Sequence, residues 1–315
     1  MSPGFDHLVR RLRLRHLELL LALADAGTMR AAASRLHLSQ PAISKMLAEA
    51  EEALGARLFE RSPQGVLPTP AGAAAVHRAR VALGELAHAR DEVQAIHRGA
   101  SAVLRVGAFS VTAVVPAAVV QLRQRLPGAV VHIHEGRVNE LIQRLLDGDL
   151  DCVFGALTTE TLTSERLSLL QSEALLEDRL CVLAASDNPL VRRRRLRWTD
   201  LREAAWVAPP RQTLVRQAFM GAFLNEGLDP PVPVIEAISS ITIGAVLRLD
   251  RSLLCAVRFE HARDEVARGG VKRLSVLPEI PLPPLGLFTR RGEVPATPVV
   301  QAFAREIRKA GTRSV

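Results

Sequence analysis

The hydrophobic period changes once along this chain, and that change constrains its architecture more than any other feature. From Leu14 to His97 apolar residues recur every three or four positions, the repeat of a helical face. From Val103 onward, short apolar runs alternate with helical stretches. A chain of 315 residues has room for two domains and needs no disulfide or metal to build a core. The pattern predicts an all-helical, winged N-terminal part followed by an α/β part.

In the first helix Leu14, Leu17, Leu21 and Ala24 form one apolar face, and Gly27 ends it. Thr28 caps a short second helix through Leu36, whose Ala31, Ala32 and Ala33 let a neighbour approach closely. After a His37-Leu38 turn, Ser39 caps a third helix. Pro41 sits in its first turn, where a missing N–H costs little. Ile43, Leu47, Ala50 and Leu54 make its buried stripe, and Gly55 closes it.

The opposite face of this third helix carries Gln40, Pro41, Ser44, Lys45 and Ala48. A solvated helix would show Glu and Lys there; this one shows small, hydrogen-bonding and apolar groups with one cation. The leading end of such a helix fits the DNA major groove. Gln pairs with adenine in bidentate fashion, Ser bonds several bases and Pro touches a thymine methyl, each good contact worth about 1–3 kcal/mol of discrimination. Ser39 and the free N–H groups beside it suit a phosphate.

Two short extended pieces follow, Arg57 to Arg61 and Val66 to Pro68, flanking the turn Ser62-Pro63-Gln64-Gly65. This is a wing. Leu58, Phe59, Val66 and Leu67 are expected to pack back on the helices, and Arg61 to reach the DNA backbone or minor groove. Thr69-Pro70 starts a long helix to His97 with Val76, Leu83, Leu86 and Val93 among its apolar positions. Such a helix either pairs with a second copy as a dimer seam or packs on its own domain.

The ordered set Leu14-Arg15-His16-Leu17, Arg30-Ala31-Ala32, Leu38 to Ser44, Leu54 to Arg61 and Thr69-Pro70-Ala71-Gly72 resembles the LysR-type transcriptional regulators. Leu12–His16 and Arg30 look most like the branch regulating sugar or aromatic-acid catabolism. One departure is Thr28-Met29, where many members have a serine followed by an aromatic. That position faces the helix pair, so altered packing is expected, with binding kept. The resemblance implies a winged helix-turn-helix over residues 1–69, a dimerisation helix and hinge over 70–102, and a two-lobed effector domain over 103–315. That domain is similar to periplasmic solute-binding proteins, with lobe I at about 103–177 and 277–315 and lobe II at about 178–276. The candidate DNA-binding set is Arg30, Ser39, Gln40, Pro41, Ser44, Lys45, Arg61 and Thr69. The resemblance further implies a homodimer or homotetramer on double-stranded DNA bearing an interrupted palindrome, contact with RNA polymerase, and a cytoplasmic location.

In the second part, strands are expected at Leu104–Phe109, Ala129–His134, Asp151–Ala156, Arg179–Ala185, Trp206–Ala208, Leu253–Val257 and Pro284–Thr289. Helices are expected at Thr112–Leu126, Asn139–Leu146, Ile241–Leu249 and Thr297–Lys309. Strands alternating with helices make a doubly wound sheet, with ligands at the carboxyl ends of strands. Candidate effector contacts are therefore Ser110, Thr112, Arg137, Thr158, Arg211, Thr213, Ser239 and Ser240. Most follow the theme of strand, hydroxyl, helix start, and a plain helix cap is the competing reading for each. The effector expected is a small molecule such as a sugar or aromatic carboxylate, for which Arg211 offers a bidentate contact.

Net charge is +8, which permits nucleic-acid binding without proving it. The excess concentrates early: residues 1–45 carry a net +4 and residues 46–98 a net −1. The run Arg192 to Arg195 reads as a solvated turn. Cys152, Cys181 and Cys255 lack any CxxC pairing and read as small buried hydrophobes in a reducing compartment. His132 and His134 share a strand face without a third ligand, so no metal is expected, nor any other cofactor. No GxSxG, GxGxxG or GxxxxGK[ST] string occurs, and no nucleophile–base–acid set is evident, so the chain is not read as an enzyme. No apolar run reaches the ~20 residues of a membrane span. The rival reading is a solute-binding or enzymatic α/β protein with a helical N-terminal appendage.

Overall fold

The computed structural model describes residues 8, 11–62, 65–291 and 297–312. The chain packs as two compact units, residues 1–103 with 143–151, and residues 104–142 with 152–315.

The first unit opens with α1 (Leu14–Ala26), α2 (Met29–Arg35) and α3 (Gln40–Leu54). The stops and caps are those the residues dictate. Gly27 takes φ 65°, where a side chain would be strained, and ends α1. The hydroxyls of Thr28 and Ser39 accept the N–H of Ala31 and Ala42 and start α2 and α3. Leu19, Leu20, Leu23, Ala32, Ile43 and Leu58 are fully or almost fully buried where the helices meet. The buried face of α1 is thus rotated from the expected one: His16, Leu19, Leu20 and Leu23 are inside, Leu17, Leu21 and Ala24 are half-buried, and Leu14 is exposed. Helical side chains lean toward the N-terminus, so Leu14, the first residue, projects beyond the packed turn. Leu54, in the last turn of α3, is likewise exposed at the far end.

The wing comprises β1 (Phe59–Ser62) and β2 (Gly65–Pro68), antiparallel with Phe59 opposite Pro68. Its tip residues Pro63 and Gln64, and the side chain of Arg61, lie outside the described residues. Leu58, Phe59 and Val66 are buried as expected, whereas Leu67 is exposed. Successive strand residues face opposite ways, so Val66 inward puts Leu67 outward. Glu51 of α3 fixes the wing by accepting the N–H groups of Leu58 (2.8 Å) and Phe59 (3.3 Å).

Helix α4 (Pro70–His97) starts on the Thr69 cap. It is buried only at Gly72, Val76 and Ala79; Leu86, Val93 and Ile96 are exposed in the single chain.

After α4 the chain runs through β3 (Ala102–Ala108), α5 (Val114–Arg125), β4 (Ala129–Glu135), α6 (Val138–Leu146), β5 (Cys152–Ala156), α7 (Ser164–Leu169) and β6 (Leu170–Ala185). It continues with β7 (Leu196–Arg197), β8 (Ala205–Ala208), α8 (Leu214–Leu224), β9 (Ile235–Glu236), α9 (Ser240–Leu249) and β10 (Leu253–Arg258). Last come α10 (Phe259–Ala267), β11 (Val271–Leu274), β12 (Val276–Leu277), β13 (Pro281–Arg290) and α11 (Pro298–Thr312). The strand order is β4-β3-β5-β13-β6-β10-β8-β9, with β11 also on β6. Strand β6 begins nine residues earlier than its apolar pattern suggests. Its first half is mostly exposed and is held by backbone pairing to β13, Leu170 opposite Arg290; its second half pairs with β10 and β11. One strand thus serves two half-sheets, and β13 crosses beside it.

Around the second half-sheet, alternate residues enter different cores. Leu180, Val182 and Ala184 join Trp198, Trp206, Phe219 and Phe223. Cys181, Leu183 and Cys255 face Ile243 and Leu247. Burial pushes the Cys181 thiol up to about 11 and that of Cys255 higher still, so neither is a thiolate at neutral pH. Arg192 to Arg195 are exposed.

Gly72 sits where a Cβ would lie 1.8 Å from the Leu58 carbonyl oxygen. Gly72→Ala is therefore expected to lower the thermal midpoint, by overpacking worth about 1–3 kcal/mol, although alanine is the better helix former by about 1 kcal/mol. Calorimetry checks the sign, and a raised midpoint would contradict this packing.

Candidate nucleic-acid interface and ligand cavity

The outer face of α3 is free of its own core. Gln40, Pro41, Lys45 and Ala48 are exposed and Ser44 is half-buried. The Lys45 side chain is 80% exposed, with only a loose 4.0 Å approach to Glu49. Arg30 is exposed on α2. Two of the expected DNA-binding hydroxyls have structural work. Ser39 caps α3, and Thr69 accepts the Gly72 N–H (3.0 Å) while donating to the Arg57 carbonyl (2.8 Å). Both remain on the exposed or half-exposed surface.

The second unit encloses a cavity of about 440 Å³, within the range that holds small organic ligands. One wall comes from the β3–α5 loop and Glu135 at the end of β4; the other comes from the starts of α8, α9 and α10. Of the expected effector residues, Ser110, Thr112, Thr213 and Ser239 line it. Thr213 and Ser239 also cap α8 and α9, accepting the N–H of Arg216 and Thr242. Arg137, Thr158 and Arg211 are not in the lining. Arg137 and Arg211 stand exposed on turns, and the Thr158 hydroxyl is taken up by Thr161 at 3.0 Å. The side chain of Ser240 lies outside the described residues.

Arg258 and His261, which the sequence reading missed, line the cavity too. Arg258 ends β10, and its Nε donates to Asp178 Oδ2 at 2.5 Å; both side chains are over nine-tenths buried. Asp178 also accepts the N–H groups of Arg179 (2.9 Å) and Phe259 (3.2 Å). Arg258 Nη2 reaches the Pro283 carbonyl at 3.4 Å. This one guanidinium therefore ties β10 to both β6 and β13. His261 Nε2 lies 2.8 Å from Ser110 Oγ, which lies 3.0 Å from Thr112 Oγ1. Its ring stacks on Phe109 with centroids 6.5 Å apart. Burial, reinforced by Arg258, pushes the imidazole down to about 4, so it is neutral at physiological pH. Beside it, Glu260 is buried and accepts the Val114 N–H; desolvation raises its carboxyl to about 8. The available signal was positional: the strand Leu253–Val257 was legible, and Arg258–His261 follow its carboxyl end.

A helix-turn-helix with a wing, in one chain with a two-lobed α/β sensor, defines a ligand-responsive DNA-binding regulator. Residues 14–73 match the bacterial regulatory helix-turn-helix protein of the lysR family, and residues 97–312 match the LysR substrate binding domain. The chain belongs to the LysR family of transcriptional regulators. It is 33% identical over 243 residues to the HTH-type transcriptional regulator GbpR of Azospirillum brasilense, covering 76% of this chain and 70% of that protein. It is 30% identical over 298 residues to the HTH-type transcriptional regulator GalR of Pseudomonas putida, covering 93% and 73%. Its fold is similar to that of a full-length OxyR variant from Pseudomonas aeruginosa, with TM-score 0.61, 24% identity and coverage of 94% and 97%.

Two of the shifted groups, Glu260 and His261, set the pH response between about pH 4 and 8. Between about pH 4.5 and 8 the folded chain holds a proton on Glu260 that the unfolded chain has lost, so stability falls as pH rises through that window. His261 acts oppositely, but only below about pH 6.5. Thermal midpoints of wild type and Glu260→Gln from pH 6.5 to 8.5 isolate the first effect. The variant is expected to lose the decline, and parallel curves would contradict this assignment.

Proposed function

We propose that this regulator reads an interrupted palindrome with two copies of α3, one in each half-site. The carrying observation is the Ser39-capped start of α3, with Gln40, Pro41 and Lys45 exposed on a face that none of the described residues of its own unit covers. Gln40 and Ser44 read base edges, Pro41 meets a thymine methyl, and Lys45, Arg30 and Arg61 neutralise phosphates. Twofold DNA follows from a twofold dimer. The exposed Leu86, Val93 and Ile96 on α4 support pairing of that helix with a second copy, and two such dimers make a tetramer.

The 440 Å³ cavity is the effector site, and the effector is a small organic molecule of the sugar or aromatic-acid kind. Its lining comes from both half-sheets, so a ligand there favours one arrangement of them over another. An effector acts only by binding one arrangement better than the other. The output is altered contact with RNA polymerase. The chain acts in the cytoplasm by binding and carries out no catalysis; among the described residues no helix is long and apolar enough to cross a membrane.

Gel shifts on the DNA upstream of its own gene test the first part. Gln40→Ala is expected to relax base preference by about 1–3 kcal/mol while leaving non-specific binding intact. Lys45→Gln is expected to weaken binding to all sequences and flatten the salt dependence by about one ion. An unchanged preference in Gln40→Ala would remove α3 from the recognition role. Light scattering tests the seam: Leu86→Glu combined with Val93→Glu should halve the assembly at least, and an unaltered mass would place the seam elsewhere.

A further inference from the structure

We infer that the arginine run 192–197 is a second DNA contact of this chain, a surface on its α/β unit that holds phosphates regardless of base sequence. The inference rests on the chain's place among DNA-binding regulators, and on neither the α3 assignment nor the cavity.

Five of the six residues from 192 to 197 are arginine, and none is acidic. All five arginines are exposed, while Leu196 and the following Trp198 are turned into the core of the unit. Among the described residues, Arg192 to Arg195 make no ion pair. The acids nearest in sequence are engaged elsewhere. Asp187 holds Arg251 at 2.6 Å, Asp200 accepts the backbone N–H of Arg197 at 2.8 Å, and Glu203 lies 3.5 Å from Arg202. Exposed Lys272 on the neighbouring strand β11 adds to the same positive surface.

The backbone beneath the run is fixed at both ends. Asn188 accepts the Leu190 N–H (2.9 Å) and donates to the Arg251 carbonyl (2.7 Å), which anchors the 3₁₀ turn Pro189–Arg192. At the other end Leu196 donates its N–H to the Ser275 carbonyl (2.9 Å) and pairs with Val276 of β12. Between these anchors Arg195 takes φ 61°, a conformation that costs an arginine energy and a glycine almost none. The turn is therefore set before a ligand arrives, and little backbone ordering is left to oppose binding.

Adjacent guanidiniums repel one another and draw anions to the surface they share. Each matches a phosphate with two parallel N–H donors, and each phosphate neutralised releases counterions, which drives the contact at low salt. A protein partner would call for apolar or aromatic groups at the centre of the contact, and from 192 to 197 the exposed side chains are all arginine. DNA is the polyanion that a transcriptional regulator meets.

The test is fluorescence anisotropy of the full chain on duplexes of about 25 and about 80 base pairs, carrying the DNA upstream of its own gene or a scrambled copy, over a range of salt. The variant combining Arg192→Gln, Arg193→Gln and Arg194→Gln is expected to bind both sequences at least about tenfold more weakly at about 0.1 M salt on at least one duplex length, with base preference kept and the salt slope flattened by about two ions or more. The same three positions changed to Lys should restore affinity to within about threefold, because the charge is kept. Unchanged affinity and slope on both duplex lengths would overturn the inference, as would an equal loss in the Lys variant, which marks a structural role. Unaltered DNA binding with reduced transcription by RNA polymerase would overturn it too, and assign the run to an acidic protein surface. None of these outcomes bears on α3, whose role is read from base preference.

Discussion

The buried pair between Arg258 and Asp178 is the constraint around which the sensor unit is arranged. A guanidinium and a carboxylate leave water together only if nearly every polar atom finds a partner. Here Asp178 takes Arg258 Nε and two backbone N–H groups, and Arg258 also reaches the Pro283 carbonyl. The consequence is topological. Asp178 lies on β6 and Pro283 on β13, the two strands that run between the half-sheets, while Arg258 ends β10. Removing one partner of such a pair costs about 3–5 kcal/mol, because the other charge is stranded. The same arginine stands in the cavity wall, so a ligand touching that wall is one residue away from the strands that join the two halves.

The DNA-binding unit is built on a different economy. Its core is small and apolar, with Ile43, Leu19 and Leu23 fully buried, and its polar groups serve as clips at the ends of elements. Glu51 holds the wing to α3, Thr69 joins the wing's end to α4, and Gly72 lets that helix lie against Leu58. The clips fix α3 from behind, which leaves its front uncommitted. A recognition surface needs that division, since a side chain spent on holding the fold cannot also follow a base sequence.

Much of this was legible from residues alone, because caps and stops are local chemistry. Thr28, Ser39 and Thr69 with Gly27 and Gly55 mark helix ends through hydrogen bonds and backbone angles within four residues. Strand cores such as Cys152–Ala156 and Leu253–Val257 were legible because both faces are buried. The early half of β6 was not, since its side chains are exposed and its partner β13 lies a hundred residues away. The turn of α1 was also misplaced. Its leucine-rich run offers several apolar faces, and which one is inside depends on the helices that meet it.

The sequence by itself determined that the chain carries a helical, winged unit and an alternating α/β unit, that Ser110 and Thr112 follow a strand, and that Thr213 and Ser239 sit at helix starts. Only the tertiary structure decided which of these meet around one cavity, and that Arg258 and His261 join them while Arg137, Thr158 and Arg211 do not. The physical reason is range. Helix starts and strand cores follow from neighbours a few residues apart. A cavity wall is made by residues more than a hundred positions apart, such as Ser110 and His261, whose meeting depends on how the whole sheet is threaded.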